Sequence, residues 1–261
     1  MHPIEHLRYL ARTDSADAAG LVAETAVALG ALGAEPANLV VAARRIIERH
    51  PSVAALWWLC AHILVSNEPR ACAWRLADEL GDDPTGDVLA AALPAGAQVV
   101  TAGLDRPLGS ALAARPDVRA TCVTADPSIA RAATRASRLG VMVDVVDADH
   151  RTAVAEAVAV ADLVLVPLMA GCPGRVLVGS GAAVVAASHG GVPLWLVAPR
   201  GACIPSRYVD AIADAVPEAT TIASSEIAQV ITPDGPAVDV AAALASSAPM
   251  APELLRAVGA H

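Results

Sequence analysis

The chain contains no lysine and no phenylalanine. Without lysine it has no amine for a Schiff base with a carbonyl substrate or for a Walker-type phosphate loop. All 18 basic residues are therefore arginines, set against 27 acids, and the net charge is −9 with a pI near 5.2. A surface that neutralises nucleic-acid phosphates needs a clustered excess of cations, so nucleic acid is excluded as a partner. The aromatic residues are Trp57, Trp58, Trp74, Trp195, Tyr9 and Tyr208, mostly flanked by aliphatics, which leaves no platform for stacking bases. Trp57 and Trp58 are adjacent on one predicted helix and cannot share a face. One is expected to cap the core and the other to meet a partner.

Cysteine is thinly spread. Cys60, Cys72, Cys122, Cys172 and Cys203 stand singly, and structural zinc sites recruit close pairs, so no metal is expected. An odd number of isolated thiols fits a reducing compartment. Long apolar runs are missing too. Although 55% of the 261 residues are hydrophobic, stretches such as Val176 to Ala187 fall short of the ~18 residues that a membrane span needs. Glu5, Arg8 and Arg12 interrupt any signal-peptide core. The expectation is a cytoplasmic protein with no membrane partner.

Two regions differ in hydrophobic period. Up to about Leu80 apolar residues recur every three or four positions. Leu21, Thr25, Ala28 and Leu29 mark one helix, capped by Asp14 or Ser15. Leu39, Val40, Ala43, Ile46 and Ile47 mark a second, ending at His50-Pro51. Ser52 is expected to cap a third carrying Val53, Leu56, Trp57, Cys60 and Leu64, and residues 69–80 form a shorter one. Gly81-Asp82-Asp83-Pro84-Thr85-Gly86 reads as a polar linker. Beyond it, strand-like runs at 98–102, 118–123, 141–146, 162–167 and 192–198 alternate with helical stretches, with a further helix at 205–216 and a late strand near 219–224. Continuously apolar strands joined by helices belong to a parallel sheet covered on both faces. The fold class is α/β: an N-terminal helical domain (1–90) followed by a Rossmann-like, doubly wound parallel sheet (91–261).

In such a sheet ligands sit beyond the carboxyl ends of the strands. There the loops carry Thr101, Gly103, Asp105 and Arg106, then Thr124 and Asp126, then Asp147, Asp149 and His150, and later Gly171, Cys172, Arg175, Arg200, Cys203 and Ser206. Helix starts near Leu104, Pro127, Gly179 and Pro205 add free amides that favour anions. Arg106 and Arg200 are the candidates for gripping a phosphate. Asp126 and Asp147 also suit helix caps, and His150 reads as exposed. Gly179-Ser180-Gly181 imitates half of a dinucleotide fingerprint, but Val184 stands at its third position and no acid follows about 20 residues on, so no nicotinamide or flavin cofactor is expected.

The succession of three helices, a strand ending in Thr101, Val118 to Pro127, Leu139 to Asp147, and Ala161 to Ala198 resembles the alpha, beta and delta subunits of initiation factor 2B. Their superfamily also holds methylthioribose-1-phosphate and ribose-1,5-bisphosphate isomerases. His50-Pro51-Ser52-Val53 is similar to the family's helix start, and Met250 to Leu255 to its closing turn. The resemblance covers roughly residues 40–256. It implies a NagB/RpiA/CoA transferase-like sheet, dimerisation, and a pocket for a phosphorylated small molecule.

The departures bear on activity. The isomerases' catalytic Cys falls at Gly103, their catalytic Asp in Pro167-Leu168-Met169, and their Asn-Lys pair near Val176-Leu177. Moving a proton between sugar carbons needs an acid and a base within reach, and neither glycine nor methionine is one. The reading is therefore a non-catalytic, initiation factor 2B-like homodimer binding through Thr101, Gly103, Arg106, Asp126, Asp147, Gly179, Ser180 and Arg200. The alternative is an aldose–ketose isomerase with displaced catalytic residues, such as Cys172 and Asp126.

Overall fold

A computed structural model gives the structure of the chain and describes residues 18–32, 36–179, 182–188 and 191–256. Five helices come first: α1 (Ala18–Leu32), α2 (Pro36–Arg49), α3 (Ala54–Val65), α4 (Pro69–Gly81) and α5 (Thr85–Ala92). The cap expected at Asp14 or Ser15 lies outside the described residues. Helix α3 is buried on every side, through Leu56, Trp57, Trp58, Leu59, Cys60, Ala61 and Ile63. An all-apolar helix of this kind sits at the centre of a core rather than on its surface. Its N-cap is Val53 and not Ser52 as expected. The turn is closed by backbone bonds instead, His50 N–H to Ile46 O at 2.9 Å and Val53 N–H to His50 O at 3.2 Å, so the serine hydroxyl is not required.

The remainder alternates: β1 (Gln98–Ala102), α6 (Arg106–Ala114), β2 (Arg119–Thr124), α7 (Pro127–Arg138), β3 (Val143–Asp147), α8 (Arg151–Ala159), β4 (Leu163–Pro167), β5 (Ala170–Cys172), β6 (Arg175–Val178), α9 (Ala182–Ser188), β7 (Leu194–Val197), α10 (Ser206–Ala215), β8 (Thr220–Ile222), β9 (Gln229–Thr232), β10 (Gly235–Ala237) and α11 (Val240–Ala243). The main sheet runs β10-β9-β7-β4-β1-β2-β3, parallel except for β10. Renumbered among themselves, the parallel strands have the order 3-2-1-4-5-6, with a switch point between β1 and β4. The five expected parallel strands are all present, with boundaries moved by no more than two residues.

The sequence reading departs from the structure in three places. The late strand exists as β8, but it joins β5 and β6 in a separate antiparallel sheet, Val176 facing Ile222. Between β4 and α9, where no strand was expected, lies the β5–β6 hairpin, whose turn uses Gly174 at φ 88, a conformation that glycine takes without steric cost. The expected polar linker is an ordered helix start: Asp83 accepts hydrogen bonds from the Thr85 amide (3.0 Å) and hydroxyl (2.6 Å), and Thr85 and Gly86 are buried. Gly86 lies so close to Pro107 O and Ser110 that a Cβ there would sit 3.1 and 3.0 Å from them.

One apolar cluster joins α1–α4 to the small sheet and α10, bringing Trp57, Leu59 and Leu76 together with Leu177, Tyr208 and Leu254. The Trp57 and Tyr208 rings lie 5.3 Å apart. Fully buried Tyr208 uses its hydroxyl twice, donating to Ala251 O at 3.1 Å and accepting from Ala251 N–H at 2.6 Å. Tyr208→Phe keeps the ring but leaves the buried Ala251 amide unpaired, its carbonyl still accepting from Leu254 N–H, which costs about 1–3 kcal/mol. Urea unfolding of that variant is expected to show a lower midpoint at unchanged m-value.

Candidate functional site

The residues singled out along the carboxyl-terminal rim do not gather around one opening. Thr101 is buried and its hydroxyl donates to Gly103 O. Gly103 takes φ 98, and its amide donates to Val123 O at 3.0 Å. A side chain rarely adopts that backbone, so the position favours glycine. Arg106 is exposed and donates from Nη2 to Gly81 O at 2.9 Å, tying the start of α6 to the end of α4. Asp126 caps α7 by accepting from the Ser128 amide and hydroxyl, both at 2.7 Å, and these bonds hold its carboxyl below the usual range. Asp147 lies on the edge strand, accepts from Asp149 N–H at 3.0 Å and stands 4.0 Å from exposed His150. Gly179 is half-buried beside Met169, and Ser180 lies outside the described residues. The proposed replacements for the catalytic pair belong to different sheets: Cys172 on β5, its thiol raised by burial and then by Asp210, and Asp126 at the end of β2.

Arg200 is different. It lines a cavity of about 440 Å³ beyond the ends of β7 and β9, walled by Trp58, Pro199, Gly201, Cys203, the Thr232–Ala237 hairpin, Asp239, Ala242, Ala243 and residues 245–247. Its backbone amide donates to Asp83 Oδ2 at 2.9 Å, while its side-chain Nε is buried with no hydrogen-bond partner. Cys203 is half-buried, with its thiol pushed up to about 11 by burial first and by Cys172 second, so it stays protonated and weakly nucleophilic. Trp58 reaches this space from α3, where its ring also packs on His62, at a centroid distance of 4.4 Å. Both tryptophans are thus buried: Trp57 against Tyr208, and Trp58 as a wall of the cavity.

Sequence reasoning named Arg200 but missed most of what surrounds it. A signal for the hairpin was present, since Thr232-Pro233-Asp234-Gly235-Pro236 is a turn sequence with a mechanism: proline presets φ and glycine supplies the positive φ, here 131° at Gly235. Thr232 Oγ1 completes the turn, donating to Gly235 O at 2.9 Å and accepting from Asp234 N–H at 3.2 Å.

A further carboxyl, close enough to Asp83 to feel its charge, is half-buried. Asp105 caps α6 through Oδ1, which accepts from Leu108 N–H at 3.0 Å. Burial pushes its acid up to about 6, against the lowering effect of its backbone hydrogen bonds, and the charge of Asp83 adds to the rise.

By sequence, the chain matches no family model and no curated protein. Solved structures resemble it in fold. The translation initiation factor eIF-2B of Pyrococcus horikoshii superposes with TM-score 0.75 at 15% identity, over 92% of this chain and 98% of that one. The beta subunit of eIF2B from Chaetomium thermophilum gives 0.64 at 15% identity, over 90% and 88%. The 5-methylthioribose 1-phosphate isomerase of Pyrococcus horikoshii gives 0.64 at 12% identity, over 90% and 84%. The fold is therefore the one these proteins share, as the order of segments in the sequence implied.

The acid of Asp105 makes stability depend on pH with a definite sign. Its folded pKa of about 6 exceeds the unfolded value of about 4, so the folded chain binds more protons between the two. Stability is then fullest below pH ~4 for this group and falls as pH rises through ~6. Asp105→Asn retains a capping oxygen and cannot ionise. Thermal unfolding from pH 4 to 7.5 is expected to show the variant gaining on the parent across that window. A constant difference would assign the raised acid elsewhere.

Proposed function

We propose that this chain is a non-catalytic, initiation factor 2B-like protein that dimerises and binds a phosphorylated small molecule in the Arg200 cavity. The observation that carries the reading is the half-buried side chain of Arg200, which lines a space of about 440 Å³ and makes no hydrogen bond or ion pair with a described residue. A phosphate accepts from the terminal nitrogens of such a guanidinium in charge-assisted hydrogen bonds. The volume falls in the range of small-molecule sites. The rest of the wall is mixed, with the Trp58 indole and alanines beside the polar hairpin.

Loss of catalysis is supported by the first rim loop. Gly103 stands where the resembling isomerases hold a thiol, and its φ of 98 disfavours any side chain. The end of β4 offers half-buried Pro167, buried Leu168 and half-buried Met169 in place of an acid. One observation favours the isomerase alternative: Asp105, with its acid at about 6, has the proton affinity of a general base. Its engagement as the α6 cap weighs against that role.

Dimerisation is supported by the edge strand β3, where Met142 and Val145 are exposed beside Leu139, which is 80% exposed. Unpaired edges with apolar side chains are surfaces that proteins cover. Among the similar structures is a tetrameric eIF2B beta2-delta2 complex from C. thermophilum, at 16% identity.

Calorimetric titration with ribose 5-phosphate and glucose 6-phosphate tests the reading, alongside product analysis of the same mixtures. Binding without isomerisation is expected, and Arg200→Gln should weaken it about 10- to 100-fold, the worth of hydrogen bonds to a charged group. Failure of both sugar phosphates to bind would remove the ligand role. Turnover abolished by Asp105→Asn would establish the isomerase instead.

A further inference from the structure

The cavity's charges are not those of a simple anion site. Arg200 is its one cation among the lining residues, and Asp234 and Asp239 are its acids. Asp234 sits on the exposed tip of the β9–β10 hairpin. Its amide is bonded to Thr232 Oγ1, while its carboxylate makes no hydrogen bond or ion pair with a described residue. Asp239 caps α11 through Oδ1, accepting from Ala242 N–H at 3.0 Å, which leaves its second oxygen open. The walls thus carry one positive and two negative charges around the same space.

We infer that the ligand of this cavity is a zwitterion, carrying one phosphate for Arg200 and one ammonium group for the Asp234 and Asp239 carboxylates. This rests on the reading of the cavity as a phosphate site and narrows its ligand class. A second phosphate would face two carboxylates with no further cation to meet it, and like charges brought together in a partly enclosed space repel strongly. A sugar hydroxyl can donate to Asp234 as water does, and so gains little over the empty cavity. An ammonium group gains the Coulomb attraction of both acids as well as its hydrogen bonds. Amino-sugar phosphates and aminoalkyl phosphates have this pattern, whereas sugar bisphosphates and nucleoside triphosphates do not.

Glucosamine 6-phosphate and glucose 6-phosphate differ only by ammonium for hydroxyl, and their affinities for the full chain can be compared by calorimetry. The amino sugar is expected to bind about tenfold tighter, as for one close charge pair. Asp234→Asn with Asp239→Asn should remove that preference, while glucose 6-phosphate binds no more weakly than before, because two charges that repel its phosphate are gone and asparagine still caps α11. Asp234→Asn alone should reduce the preference and serves where the double variant fails to fold. Arg200→Gln should weaken both ligands together, and fructose 1,6-bisphosphate should bind less well than either monophosphate. Equal affinity for the matched pair, or tighter binding of the bisphosphate, would overturn the inference and leave the phosphate site standing. Failure of both monophosphates to bind would overturn the site itself.

Discussion

The carboxylate of Asp83 ties the helical segment to the loop that carries Arg200. It takes the amide and hydroxyl of Thr85 on one side and the amide of Arg200 on the other. Residues far apart in sequence thereby fix the start of α5 against the loop that leaves β7. The loop has little freedom to move away. Gly201, at φ 82, is pressed against α3 and α4, where a Cβ would sit 3.2 Å from Ala55 Cα and 3.3 Å from Leu80 Cδ2. Arg200 therefore stands on backbone clamped between the helices and the sheet, so the proposed binding role would need no loop to be ordered first. The same negative charge adds to the rise in the acid of Asp105, which burial causes in the main.

The two halves of the rim have diverged physically. On the β1–β2–β3 side the polar groups are engaged among themselves: Thr101 on Gly103 O, Asp126 on Ser128, Asp147 on the Asp149 amide. Of these, the Asp126 cap stabilises the start of α7 by taking the Ser128 amide, while α8 follows His150 without a side-chain cap. On the β7–β9 side the balance is reversed, with a guanidinium and a carboxylate lacking partners around open space. A fold whose ligand site ordinarily lies at the β1–β4 switch point thus has its unsatisfied groups two strands away.

Much of this architecture was legible because its signals are local. Strands buried on both faces read as unbroken apolar runs, and Val99 to Ala102 and Leu163 to Val166 are buried as that pattern requires. The central helix was legible for the same reason. Of the antiparallel pieces only the late strand β8 was legible, and not its pairing, since β5 and β10 are three residues long and too short for any period to show. Their pairing depends on hairpin geometry and on chain ends meeting across the sheet. Individual site residues were harder still. Arg106 and Arg200 look alike in sequence, each just beyond a strand, and only tertiary packing gives the first a carbonyl and leaves the second unpaired.

Trp58 shows how the helical segment enters the site. It stands on the helix buried most completely, yet one part of its ring borders the cavity formed by the β7 and β9 loops. An indole in that position contributes apolar wall without conformational freedom, because its neighbours Trp57, Leu59 and Cys60 lock α3 into the core. The cavity thus joins the helices to the sheet, with the core behind its α3 wall and the exposed hairpin on its other side. On the proposed reading, the fixed apolar wall discriminates little between small phosphorylated molecules. Discrimination would then fall to charge, through one guanidinium and two carboxylates.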